Sequence, residues 1–248
     1  MKILVCISSV PDTTSKINFK DNDTLFDDQG VQFVINPNDE FGLTRAIWFK
    51  EKVGATIDVL HVGTALADAT LRKALAIGAD KAIRIDTEPI DGFVVADQIV
   101  AYASTNTYDL IIAGRESIDY NGSMVPGLIA AKLNYAFINN CVHLNIDGTT
   151  ASATREMDSG MEILTTELPL LIGGQKGLVE ETDLRIPNMR GIMQARQKTL
   201  EVVAPIESTP KTSVISFEKP APKATVKLVP ADDIDQLIDL LQNEAKVL

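Results

Sequence analysis

Apolar residues follow two rhythms along this chain. Short, nearly unbroken runs come first: Lys2 to Ile7, then Ile57 to Val62, Ala82 to Ile85 and Leu110 to Ala113. Continuous rather than alternating apolarity suits strands covered on both faces, as in parallel sheets. Between these runs the spacing turns helical. Phe41 to Lys52 is led by Asn38, Asp39 and Glu40, which suit a helix N-terminus through capping and the helix dipole. Thr64 to Ile77 carries Leu66, Ala69, Leu71, Ala74, Leu75 and Ile77, and Gly78 closes it where a left-handed cap is wanted. Val94 to Ala103 and Met124 to Leu133 are two further helices. Strand alternating with helix predicts an α/β fold with right-handed crossovers and a doubly wound, mostly parallel sheet.

Beyond Tyr135 the pattern becomes β. Thr150 to Arg155 and Met161 to Thr166 flank Met157-Asp158-Ser159-Gly160, good hairpin chemistry. Leu168 to Ile172 is a further strand, with Pro169 near its start, where a missing donor is tolerated. A helix is expected over Ile192 to Lys198. From Pro205 the composition shifts, with Pro210, Pro220, Pro222 and Pro230 favouring extended chain over regular elements. Ala231 to Val247 then predicts a terminal helix, with Ile234, Leu237, Ile238 and Leu241 on one face and Asp232 and Asp233 in its first turn. Such an arm either packs on its own domain or embraces a partner subunit, because an apolar stripe must be covered somewhere.

Composition narrows the function. The chain has 248 residues, enough to bury roughly 70–75% of its unfolded surface. Its 23 basic and 34 acidic side chains give a net charge of −11, which opposes nucleic acid and anionic membranes as partners. Cys6 and Cys141 form no Cys-x-x-Cys pair, and His61 and His143 have no ligand-spaced neighbours, so neither redox nor zinc chemistry is indicated. There is no secretory pattern and no stretch long enough to span a bilayer, so a cytoplasmic location is expected. Gly-x-Ser-x-Gly and Walker loops are absent. The polar Gly114 to Ser123 segment lies between a buried strand and a helix, where open α/β sheets bind ligands; the alternative is a surface loop turning at Asn121-Gly122.

Several separate stretches carry a family resemblance: Asn36-Pro37-Asn38-Asp39-Glu40, Ala74 to Asp80, Gly114-Arg115-Glu116-Ser117-Ile118-Asp119, and Arg155 to Glu162. Leu168-Pro169, Arg185, Gly191 to Arg196 and Ser213-Val214-Ile215-Ser216 follow in order. In order and spacing the chain resembles the β subunit of an electron transfer flavoprotein over nearly its whole length. The resemblance implies an adenine-nucleotide-binding, Rossmann-like domain over residues 1–200. This domain carries the β-hairpin region near 150–172 and a recognition loop near 185–196. Residues 201–248 would form an arm that clasps the α subunit. It also implies a non-enzymatic electron carrier, with FAD held mainly by the α subunit and AMP held structurally here. Electrons would come from acyl-CoA or other flavin dehydrogenases, in fatty acid oxidation, and pass towards a membrane quinone oxidoreductase. Some relatives bind a second FAD at the same site and bifurcate electrons from NADH.

By the same resemblance the nucleotide would meet Cys6, Asn36, Val62 and Gly63. Ser117, Asp119, Tyr120, Asn121, Gly122, Ser123, Met124 and Val125 would close over it. Asn36 read alone is equally a turn-capping side chain beside Pro37. Ser123-Met124-Val125 stands where many AMP-binding members have Asn-Gln-Thr. Asp119-Tyr120-Asn121-Gly122 stands where bifurcating members often have Asp-Gly-Asp-Thr, and Thr13 where some have a flavin-side tyrosine. Arg185, Met189 and Ile192 would dock the dehydrogenase, with Met189 as the apolar anchor; by itself Met189 also reads as a core methionine. Arg155, Glu156 and Asp158 are either a solvated turn or an ion-pair contact to the α subunit or the flavin neighbourhood. A flavin-free nucleotide sensor of the same fold class is a third reading, which the hairpin and arm oppose.

Overall fold

The inner strand predicted at the start of the chain is β1 (Lys2–Cys6). Ile3 and Val5 pack to one side of the sheet, Leu4 and Cys6 to the other. The computed structural model describes residues 1–222 and 225–248; Lys223 and Ala224, within the arm, lie outside the described residues. Next come β2 (Ser9–Pro11), β3 (Asn18–Lys20), β4 (Leu25–Asp27) and β5 (Phe33–Ile35), which make two small ribbons, β2 with β5 and β3 with β4. Three-residue strands are too short for periodicity to reveal, and the sequence pattern misses both ribbons.

α1 (Pro37–Val53) starts before its apolar pattern because Pro37 is preorganised for a first helical turn. It ends at Gly54, whose φ of 69° suits glycine and whose N–H reaches the Lys50 carbonyl at 3.0 Å. β6 (Thr56–Val62) follows. The helix predicted over Thr64–Ile77 is two pieces, a 3₁₀ turn at Ala65–Ala67 and α2 (Asp68–Ile77). The Ala67 N–H bonds to the Thr64 carbonyl at 3.1 Å, a tight turn that takes the chain off β6 before α spacing begins.

β7 (Lys81–Ile85), α3 (Gly92–Thr105), β8 (Leu110–Gly114) and α4 (Val125–Leu133) continue the alternation. The antiparallel region is β9 (Ala136–Asp147), β10 (Thr150–Met157) and β11 (Gly160–Glu167), with the β10–β11 turn where predicted. β12 (Leu170–Gly174) begins just after Pro169, so no ladder bond is lost. α5 (Met189–Ala195) starts earlier than the expected Ile192, because the Asn188 side chain accepts the Gly191 N–H at 2.8 Å and caps the helix there. β13 (Leu200–Val203), not anticipated, joins the sheet as an edge strand, so the chain leaves the sheet after Val203. The terminal helix is α6 (Ile234–Asp239) with a π-helical stretch, Leu240–Ala245, shorter than the predicted Ala231–Val247. Asp233 caps it, accepting the Gln236 N–H at 3.1 Å, instead of lying in its first turn.

The main sheet runs β11-β10-β9-β12-β8-β1-β6-β7-β13. Pairings from β9 to β13 through β12, β8, β1, β6 and β7 are parallel. Helices α1 and α2 cover one face over Ile3, Val5, Leu43 and Leu71; α3 and α4 cover the other over Leu4, Leu60, Ile99 and Ile129. The fold is thus the doubly wound α/β type. From β1 the chain steps outward to β6 and β7, then α3 returns it to β8 on the far side of β1. That reversal opens a crevice at the carboxyl ends of β1 and β8, where such sheets bind ligands. Among the described residues no helix is long and apolar enough to cross a membrane.

Candidate functional site

A cavity of about 340 Å³ occupies this crevice. Its floor is the ends of three strands: Cys6 to Ser9 after β1, Leu60 to Val62 on β6, and Ala113-Gly114 on β8. Glu116 to Pro126 and Pro89 to Gly92, leading into α4 and α3, form two walls, and Thr212, Ser213 and Val214 of the arm form a third. Gly114 is required at this place. A Cβ there would sit 2.4 Å from Asp39 Oδ1 and 2.8 Å from the Asn38 Cβ.

The lining is acidic: Asp39, Asp91, Glu116 and Asp119 face it, and none of its lining residues is Lys or Arg. Three of these carboxylates have tight partners within the protein. Asp39, buried, accepts the N–H groups of Ser8 and Gly114, both at 2.7 Å, and so ties the ends of β1 and β8 together. Burial pushes its carboxyl up to about 7, against those two donors. Glu116 takes the Ser123 hydroxyl at 2.6 Å and Arg115 Nη2 at 2.7 Å, which hold it below the ordinary carboxylate range despite its partial burial. Asp91 caps α3 and accepts from the arm. Burial raises the Cys6 thiol and leaves it an inert hydrophobe at neutral pH. Burial likewise lowers His61, whose Nδ1 bonds to the Ile7 carbonyl at 2.8 Å.

Among the cavity's unpaired donors is a run of backbone groups. Within the described residues the N–H groups of Gly122, Ser123, Met124 and Val125 have no acceptor, and they gather at the start of α4. A helix N-terminus with free N–H groups is a ready anion site. The α4 donors could hold one phosphate, and Cys6, Val62, Met124 and Val125 line the space beside them. The volume lies near the lower end of ligand sites, roughly 300–1,000 Å³, and Asp91 already occupies the second helix N-terminus.

Cys6, Val62, Ser117, Asp119, Tyr120, Gly122, Ser123, Met124 and Val125 all line the cavity. Asn36, Gly63 and Asn121 do not. Asn36 is 1% exposed and clamps the loop from behind: Nδ2 donates to the Glu116 carbonyl at 3.0 Å, and Oδ1 accepts the Ile118 N–H at 3.2 Å. Its side chain makes no helix-capping bond, so the turn-capping alternative is also set aside. Gly63 makes room for the imidazole, since a Cβ there would lie 2.3 Å from His61 Nε2. Asn121 bonds its N–H to the Ser117 carbonyl at 2.8 Å and shapes the loop. Sequence reasoning missed Asp39, Asp91 and the arm residues. Asp91 preceding Gly92-Phe93-Val94 is a readable N-cap signal; Ser213 and Val214 belong to a family motif, but nothing in it marks a cavity wall.

The expected docking residues lie elsewhere. Met189 is 76% exposed at the start of α5, which sets aside the core-methionine reading, and Ile192 is exposed beside it. Two cations hold this platform rigid on α2. Arg72 donates to the Ala195 and Lys198 carbonyls at 2.8 and 2.7 Å, and Lys198 Nζ to the Leu75 and Ala79 carbonyls at 3.0 and 2.6 Å. Arg185 is held by both Glu51 oxygens at 3.0 and 2.8 Å. It therefore anchors the loop to α1. A surface groove of about 440 Å³, lined by Trp48 and residues 182–186, shares no residue with the strand-end cavity and receives no strand end. On the hairpin, Arg155 pairs with Glu162 at 2.5 Å, and Glu156 accepts from Gln175 at 2.5 Å.

Residues 23–208 match the family model of the electron transfer flavoprotein domain. The electron transfer flavoprotein subunit beta of Bacillus subtilis is 34% identical over 262 residues, covering 100% of both chains. That of Syntrophomonas wolfei is 32% identical, covering 100% of this chain and 98% of its own. The human one is 29% identical, covering 94% and 95%. With a family model spanning most of its length and relatives aligned end to end, the chain belongs to the electron transfer flavoprotein family, on its β-subunit side.

Proposed function

We propose that this chain assembles with an electron transfer flavoprotein α subunit and holds AMP structurally in the strand-end cavity. The redox FAD is held mainly by that partner. The complex takes electrons from flavin dehydrogenases, such as acyl-CoA dehydrogenases, and delivers them towards a membrane quinone oxidoreductase. When bound, the flavin supplies the electron storage. This chain's residues position and shield, which is why no acid–base constellation is needed.

The observation that carries the AMP reading is the group of unpaired N–H donors from Gly122 to Val125 at the sheet reversal. These backbone donors serve a phosphate although Met124 and Val125 offer no polar side chain. The acidic lining and modest volume favour one phosphate over the two of a second FAD. Met189 and Ile192, raised on a platform fixed by Arg72 and Lys198, supply an apolar docking point for the dehydrogenase. The exposed stripe of α6 and its π-helical continuation supports a clasp on the α subunit.

Mass spectrometry of nucleotides released from the purified heterodimer tests this reading, with FAD and AMP expected in equal amounts. Two FAD per heterodimer would replace simple carriage by NADH-linked bifurcation. A colourless chain that binds no α subunit would overturn the proposal altogether.

A further inference from the structure

The arm does not leave the domain when it leaves the sheet. Ile206 makes a reciprocal pair with Gln98, a 2% exposed side chain of α3: Nε2 donates to the Ile206 carbonyl and Oε1 accepts its N–H, both at 2.8 Å. The Ser208 hydroxyl donates to Asp97 at 2.7 Å. Three donors then converge on Asp91 Oδ2: the N–H groups of Lys211 and Thr212 at 2.6 and 2.9 Å, and the Thr212 hydroxyl at 3.3 Å. The other oxygen, Oδ1, accepts the Val94 N–H at 2.8 Å and caps α3. Directly after this junction, Thr212 to Val214 form a wall of the cavity. Farther on, the Phe217 ring stacks on Phe19 at 4.7 Å and its N–H bonds to the Asp23 carbonyl. The strap thus runs from α3 across the cavity to the β3–β4 ribbon.

We propose that Asp91 is a positioning residue that latches the arm over the nucleotide cavity, so that nucleotide retention and arm attachment are coupled. The inference rests on the AMP reading of the cavity and adds to it the element that closes the site. Its carboxylate divides the work between its oxygens, one for the helix and one for the strap. Burial raises the carboxyl, but the convergent donors outweigh it and keep it below the ordinary range, so the acceptor is charged at neutral pH. A ligand that stabilises the closed strap must, by linkage, be held more weakly when the strap is loosened.

Asp91→Asn separates the two duties. Asparagine caps helices as well as aspartate, so its oxygen keeps Val94, while its NH₂ group faces the Lys211 and Thr212 donors without accepting from them. In the heterodimer loaded with radiolabelled AMP, release into excess unlabelled AMP is expected to be roughly tenfold faster in Asp91→Asn than in wild type. Amide exchange at residues 211–217 is expected to quicken while the Val94 amide stays protected. Thr212→Pro, which removes two strap donors and leaves the α3 cap intact, is expected to release AMP faster in the same way. Unchanged AMP release with quickened strap exchange overturns the coupling, as does unchanged exchange at the strap in both variants. A wild-type heterodimer that retains no AMP overturns the reading of the cavity itself, and the latch with it.

Discussion

The two halves of the C-terminal arm obey opposite rules. Between Ile206 and Phe217 the strap is tied to its own domain at five residues, Ile206, Ser208, Lys211, Thr212 and Phe217, which bond to Gln98, Asp97, Asp91 or Asp23. Between residue 225 and Leu248 the chain turns outward: Val226, Leu228, Ile234, Leu237 and Ile238 are exposed, and α6 buries none of its residues. An extended segment is held by hydrogen bonds to a rigid neighbour, or it is left for another surface to order. The same contrast separates the cavity from α5, where Met189 and Ile192 face solvent above a firmly pinned base.

Removing residues 226–248 is expected to have the largest effect. Co-purification with the α subunit should be lost, while the unfolding free energy of the isolated chain should change by no more than about 0.5 kcal/mol, since nothing buried is removed. A large loss of intrinsic stability would make the distal half an ordinary part of the domain. Met189→Ala should weaken dehydrogenase docking by about 2 kcal/mol, seen as slower interprotein electron transfer at unchanged FAD content; identical transfer kinetics would reject the anchor role. On the inward side, Gln98→Ala strips both partners from Ile206 and should cost about 1–3 kcal/mol in denaturant unfolding. Limited proteolysis should then open between Ile206 and Phe217, and full protection would show that the strap does not depend on that pair.

At the strand ends, Asp39 makes stability depend on pH, a change small at any one pH step and spread over a wide window. Its carboxyl is raised in the folded chain to about 7, so between its ordinary value near 3.8 and 7 the native state holds a proton that the unfolded chain has released. Stability from this group is therefore full below that window and declines, on the order of 1 kcal/mol per pH unit, as pH rises through it. Denaturant midpoints against pH should show this slope in wild type and lose it in Asp39→Asn. Equal slopes in both would mean that the carboxylate stays charged between Ser8 and Gly114.

The strands that form the centre of the sheet were legible because a strand covered on both faces must be apolar throughout, as Leu110 to Ala113 is. The ribbons at Ser9 to Ile35 are not, because three-residue strands are too short to show a period, and the edge strand at Leu200 is not, because its partner β7 lies far along the chain. At the site, the loop from Ser117 to Val125 was found from its place between strand and helix and from the family pattern. The family pattern puts Asn36 at the ligand; in the structure its amide bonds to the Glu116 carbonyl and the Ile118 N–H.

By itself the sequence determined the alternation of strand and helix, the family, and the loop that faces the crevice. The elements and the loop follow from hydrophobic period and capping among residues within a few positions of one another, and the family from the order of short motifs along the chain. Tertiary structure alone decided that Asp39 ties two strand ends, that Asp91 serves a helix and a strap at once, and that half of the arm turns home. Each of those depends on hydrogen bonds between groups dozens to more than a hundred positions apart, whose geometry exists only once the sheet has assembled.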